Sequence, residues 1–169
     1  MPHFQDGPKS TQFAPLPFAG NVPLDELAGA GISPAMARAV EHAPRGACVG
    51  WGMPFDVGDV VLVKDQAVSI TFSPTPAEWL VFMHTSDVRP MSPGPGGFIS
   101  PMRGEAQLAE HAADYVVLYA DGTQERVAIR RRRQLGPFQR RWGENCFEAV
   151  AHAKPGPVRA SRLAITDCG

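Results

Sequence analysis

The chain has no apolar run long enough to cross a bilayer: its longest, residues 60–63 and 79–83, fall far short of the roughly 20 residues a spanning helix needs. Nor is there an excess of either charge. Lys and Arg number 16 against 17 Asp and Glu, a formal net charge of -1, so the global basic field that draws proteins to nucleic acid or anionic membranes is missing. Cysteine is scarce. Cys48, Cys146 and Cys168 form no CxxC pair and no metal-like cluster, which argues against a zinc centre or a disulfide framework and predicts plain thiols; one disulfide would fit only an exported protein. The opening MPHFQDGPKS has no continuous apolar stretch of the kind a secretory signal carries, and the sequence assigns no compartment. There is no GxSxG and no HExxH. Gly94, Gly96 and Gly97 lie in a proline-rich loop with no helix start after them, so they do not read as a phosphate-cradling loop. No internal repeat is visible.

What is present fits one domain with appendages: 169 residues, 44% of them hydrophobic. Residues 1–45 read as an extended arm with short helices. Prolines at 2, 8, 15, 17 and 23 and the lack of periodicity predict an arm along the surface over the first 23 residues. A short helical stretch follows at 24–28. A better one starts at Ser33, an N-cap with Pro34 at the first helical position, puts Met36 and Val40 on one face, and ends at Pro44-Arg45-Gly46. Residues 46–169 read as the β-domain. Strands are expected at 47–52 leading into Met53-Pro54-Phe55, then at 60–64 and 68–72, with weaker candidates at 137–142, 146–152 and 158–165. Residues 79–84 are apolar on both parities, which predicts a central strand covered on both faces. Several short strands without alternating helices indicate an all-β antiparallel sandwich or barrel. A long loop, residues 85–113, carries prolines at 90, 93, 95 and 101; a loop of that length inside a domain is functional or disordered, and 108–113 reads as a turn of helix within it.

Residues 115–129, YVVLYADGTQERVAI, form a hairpin about Asp121-Gly122, a pair suited to the positive φ angles of a type I′ turn. A two-residue loop pairs Ala120 with Thr123. That register places Val116, Leu118, Val127 and Ile129 on a core face and sets Tyr115, Val117 and Tyr119 opposite Ala128, Arg126 and Gln124, with Arg130 just beyond. Interleaved rings and guanidiniums could make a platform for a sugar, or could simply be cross-strand packing of Arg stems over tyrosine rings. Arg130, Arg131, Arg132 and Arg133, with Arg140 and Arg141, suggest an anion site, against a solvated strand end in which alternate residues face opposite ways. His84, His111 and His152 have no ligand-like spacing. Asp87 and Arg89 beside His84 make the mouth of the long loop the place where an enzyme site would lie. Asp87, Glu105, Glu110, Asp114 and Glu144 could supply a carboxylate pair for glycoside hydrolysis, but nothing selects two of them.

Taken in order, Gly50-Trp51-Gly52-Met53-Pro54-Phe55-Asp56, Trp79-Leu80-Val81-Phe82-Met83-His84-Thr85, the Tyr115 hairpin with its Asp121-Gly122-Thr123 turn, and Trp142 resemble the galactose-binding-like β-sandwich modules found beside catalytic domains in bacterial carbohydrate-active proteins. The similarity spans about residues 46–150. Met53 stands where a branched aliphatic is usual, and the long loop and the arginine run depart from the pattern. The resemblance implies an antiparallel jelly-roll β-sandwich with a short N-terminal helical decoration, a role in sugar binding or as an accessory to a neighbouring catalytic domain or subunit, and no catalytic residue. It also implies calcium as a structural ion, although no Asp-rich loop argues for one. The reading is therefore a non-catalytic module for carbohydrate recognition or accessory to a carbohydrate-active enzyme, with no nucleic-acid or membrane partner, and with Tyr115, Tyr119, Arg126, Arg130, His84 and Asp87 as ligand-binding candidates. Two rivals stand beside it: a small enzyme acting on a sugar or related substrate near His84 and the 85–113 loop, and a structural or assembly domain using the arm and edge strands. The closing Thr166-Asp167-Cys168-Gly169, with no final helix or strand, reads as part of a larger protein.

Overall fold

A computed structural model describes residues 5–90, 96, 106–139 and 148. They fall into two units, one holding residues 5–75 and the other the remainder. The described structure is strand-rich, in small antiparallel pairs with few helical turns, as the all-β class requires.

In the first unit, β1 (Val22–Pro23) leads into a 3₁₀ turn, Leu24–Gly29, then α1 (Pro34–Ala39) and a second 3₁₀ turn, Val40–His42. The helix starts where its capping residues predict: the Ser33 hydroxyl accepts from the Met36 N–H at 3.1 Å, with Pro34 in the first turn. Leu24, Leu27 and Val40 are the buried centre, packed by Val22, Ile32, Val57, Val60 and Leu62. Arg45, at the expected helix end, pairs with Asp25. The strands β2 (Gly46–Gly50) and β3 (Met53–Val57) form a hairpin whose two-residue loop, Trp51-Gly52, has φ of 54° and 80°. Both residues are left-handed, as a type I′ turn demands, and a tryptophan there is uncommon. The arm stabilises it. The N–H of Trp51 donates to Asp6 Oδ2 at 3.1 Å, the N–H of Gly52 donates to the Asp6 carbonyl at 3.0 Å, and Asp6 N–H donates to the Val49 carbonyl at 2.8 Å. Gln5, Asp6 and Ser10 of the arm thus bond to this hairpin. Further on, β1 pairs with β4 (Asp59–Val60), and the Asn21 amide adds a side-chain rung: Leu62 N–H donates to Asn21 Oδ1 at 2.7 Å and Asn21 Nδ2 donates to the Leu62 carbonyl at 3.0 Å. Cys48 is fully buried in β2; burial first, and Asp56 second, push its thiol pKa up.

The second unit is organised by β5 (His111–Leu118) and β6 (Gln124–Arg130). Their register differs from the two-residue-loop expectation by one residue. Tyr119 pairs with Thr123 through an N–H to carbonyl bond of 2.9 Å, so the loop is three residues long, Ala120-Asp121-Gly122. Only Gly122 is left-handed, with φ 85°, and its N–H donates to the Tyr119 carbonyl at 3.0 Å, giving a type I turn followed by an αL residue. Asp121 selects this form because its carboxylate accepts from both the N–H (2.9 Å) and the hydroxyl (2.6 Å) of Thr123. A one-residue slip moves one strand's side chains to the other face relative to its partner. Tyr115 now opposes Val127 and Val116 opposes Arg126. The expected core set is divided: Ile129 is buried on the Tyr115 face, while Val116 and Leu118 are exposed on the other.

Other expectations change too. Residues 79–84 form no strand; 79–82 are exposed and 83–84 half-buried. Pairing begins at Ser86, which bridges Pro137 in parallel. Of 60–64 only Val60 is in a strand, 68–72 has none, and 111–113 belongs to β5 rather than to a helical turn. The candidates 146–152 and 158–165 and most of 137–142 lie outside the described residues, apart from Glu148, as do Cys146, Cys168, His152, Glu105, Glu144, Arg140 and Arg141.

Of the first unit's described glycines, Gly20 has the least room: a Cβ there would sit 2.4 Å from the Val60 carbonyl oxygen, a backbone atom that cannot swing away. Gly20→Ala is expected to cost about 1–3 kcal/mol in urea titration, as overpacking does. Gly58→Ala, with nothing within 4 Å, should stay within about 0.5 kcal/mol of the parent.

Candidate functional site

The polar and aromatic groups nominated from sequence gather around the second unit's ribbon. On one face, the Tyr115 ring packs against Phe82 with centroids 4.9 Å apart and against the His84 ring at 5.8 Å, both tilted. His84 Nε2 lies 2.7 Å from the Gln134 carbonyl and Nδ1 lies 2.8 Å from the Tyr115 hydroxyl. A carbonyl only accepts, so Nε2 carries the proton and Nδ1 of the neutral ring accepts from the phenol. Burial pushes the Tyr115 pKa up, which keeps that donor proton in place. His84 therefore ties three segments together: its own, β5, and the turn after β6. Both ring nitrogens are engaged. Two further bonds extend the seam, from Ser86 N–H to the Gly136 carbonyl and from Phe138 N–H to the Ser86 carbonyl, each 3.0 Å.

Tyr119 shares the Tyr115 face but stands near the ribbon's turn, half exposed, its hydroxyl donating to Glu125 Oε2 at 3.1 Å; the Glu125 carboxylate raises its pKa. Arg126 and Arg130 are on the opposite face. Arg126 donates to Asp114 Oδ2 at 2.9 Å, and Arg130 donates to the Ala109 carbonyl at 3.2 Å. The rings and guanidiniums nominated as one platform are thus split between two surfaces. Asp87 accepts from the N–H of Val88 at 2.7 Å and lines a cavity of about 10 Å³ with Ser86, Arg89 and Arg131, room for about one water. Arg89 is paired with Glu110 at 3.1 Å and Arg133 with Glu148. Of the described arginine run, Arg130 ends β6 and Arg131, Arg132 and Arg133 follow in the turn after it.

One cluster was not anticipated: Asp114 accepts from His111 Nε2 at 3.0 Å as well as from Arg126. A bulge between His111 and Ala113 turns His111 to Asp114's side of the ribbon. The sequence held a weak sign of it, a His and an Asp three apart just before a strand, but that stretch read as loop. The hydrogen bond from His111, followed by that from Arg126, holds the Asp114 carboxyl below the usual range against some desolvation. Among the described residues no three His, Cys, Asp or Glu side chains converge as metal ligands. No protein-family model matches the chain, and no curated protein or solved structure shows a significant match to it.

Two outcomes test this geometry. Tyr115→Phe leaves His84 Nδ1 without its donor and should cost about 1 kcal/mol in urea titration, while the ¹⁵N shifts of His84 in the parent should report the Nε2–H tautomer. The Asp114 and Asp121 carboxyls are both held low in the folded protein. Their stabilisation is complete above the unfolded carboxylate value of about 3.9 and is lost as pH falls through the lowered folded values. Thermal stability should therefore drop on the acid side of about pH 4, and Asp114→Asn should remove only part of that drop.

Proposed function

We propose that this chain is a non-catalytic accessory module that works docked against another protein surface, the neighbouring catalytic domain or subunit that the galactose-binding-like resemblance implies. One observation carries the reading: the apolar row at 79–82 is exposed on both parities, with Trp79 73%, Leu80 43%, Val81 43% and Phe82 53% accessible. A sequence that alternates would leave one side wet; this one has apolar groups on both, which is the composition of a segment meant to be covered. Exposed apolar rows of this kind mark interaction surfaces. The finer architecture we propose is the jelly-roll sandwich of the resemblance. What supports it is that the two-stranded pairs are each too small to be stable alone and need further strands or a partner to cover them.

Carbohydrate recognition is the second reading, favoured by the open rings of Trp79 and Tyr119, which could stack on sugar faces. Weighing against an enzyme site at His84 is that both of its nitrogens are already bonded.

The test is a Trp79→Ser, Phe82→Ser double variant. The parent should bind the hydrophobic dye ANS and the variant should lose at least about half of that signal, since the dye reports exposed apolar surface. Titration with neutral and acidic oligosaccharides, read by thermal shift, separates the readings: a Trp79-dependent shift favours sugar binding, and no dye binding together with no sugar shift contradicts both.

A further inference from the structure

We propose that the chain pairs with a second copy of itself through the outer edge of β5, antiparallel about a two-fold axis at Val116. The proposal rests on the accessory-module reading only in supposing that uncovered apolar structure is there to be covered; it adds which edge is used and by what.

The edge follows from the register. Tyr119 N–H points inward to Thr123, and in an antiparallel ladder inward and outward residues alternate. Val117 and Tyr115 therefore also point inward, to Glu125 and Val127, and the backbone groups of Asp114, Val116 and Leu118 point outward. The ribbon has two strands, and among the described residues no third strand pairs with that edge. Natural edges are blunted by Lys, Pro, bulges or charges. Here the one bulge lies at the start of the strand, before Ala113, and the only charged side chain from residue 113 to 118 is Asp114, already engaged by His111 and Arg126. Leu118 is 73% exposed and Val116 is also exposed. The other edge of the ribbon is blocked at its end, where the Arg130 N–H is covered by Gln134 Oε1 at 3.0 Å.

A second copy fits this edge without conflict. Centred on Val116, the pairing sets Val116 against the partner copy's Val116 and uses all three outward residues of each copy. Asp114 falls opposite Leu118 of the second copy, so no like charges face each other. On the other face Tyr115 falls opposite Val117 of the second copy, an aromatic and β-branched pair of the kind that stabilises sheets. Sliding the centre to Val117 sends Asp114 opposite the loop residue Ala120 and takes an outward residue out of the ladder. The product is a four-stranded sheet in the order β6, β5, β5, β6.

Charge exchange at the axis tests this on the full chain. Light scattering should give the mass of a dimer for the parent at tens of micromolar. Val116→Lys and Val116→Glu each set like charges face to face, and each should weaken dimerisation at least about tenfold. Mixing the two should restore a dimer containing one copy of each, which also shows that both variants are folded. The single variant Trp79→Ser, which leaves the Phe82 and Tyr115 ring contact intact, should dimerise like the parent. A monomeric parent that still binds ANS overturns this proposal and leaves the accessory-module reading standing. A dimer unaffected by Val116→Lys, or a Lys and Glu mixture no more associated than either alone, overturns it as well.

Discussion

The hydrogen bonds that Asp121 accepts from Thr123 govern the described half of the second unit. By favouring a three-residue turn over a two-residue one they set Tyr119 against Thr123, and every pair down the ribbon follows from that closure. The register decides that Tyr115 shares a face with Ile129 and meets Phe82 and His84, that Arg126 reaches Asp114, and that Val116 and Leu118 are left to solvent. Two side-chain contacts agree with it independently: Tyr119 reaches Glu125 on one face, and Asp114 reaches Arg126 on the other.

His84 converts the ribbon into a unit. An isolated two-stranded ribbon is marginal in water, and what this one gains from its neighbours passes largely through the imidazole, with its two bonds, and the Tyr115 and Phe82 rings against it. A side chain held this way is a fastening. That is why the nominated residues divide as they do: Tyr115 and His84 hold the segment in place, and Tyr119 and the arginines lie on separate surfaces.

The sequence was most legible where structure is dictated by a few adjacent residues. Ser33-Pro34 placed a helix start, and the strand-rich character followed from the short runs. It was least legible where a choice turned on tenths of a kcal/mol or on distant partners. Asp-Gly suits two turn types, and only the Thr123 contacts distinguish them. Trp51-Gly52, which carries no Asn or Asp, forms the left-handed two-residue turn instead, with Asp6 from the arm supporting it from 45 residues away. The His111, Asp114 and Arg126 cluster depends on a bulge that no local pattern announces. The apolar row at 79–82 reads as a buried central strand, and it is neither a strand nor buried, because apolar composition on both parities does not by itself supply the neighbouring strands that would pair with it.

The register is best tested by cross-strand Hα–Hα contacts in NMR spectra, since the non-hydrogen-bonded pairs of an antiparallel ladder bring their Cα atoms to about 4.5 Å. A three-residue turn predicts contacts between Val116 and Arg126 and between Leu118 and Gln124. Contacts between Val117 and Arg126 and between Tyr119 and Gln124 would mean the two-residue turn, and would overturn the assignment of faces, the role of His84's partners and the edge of β5 together.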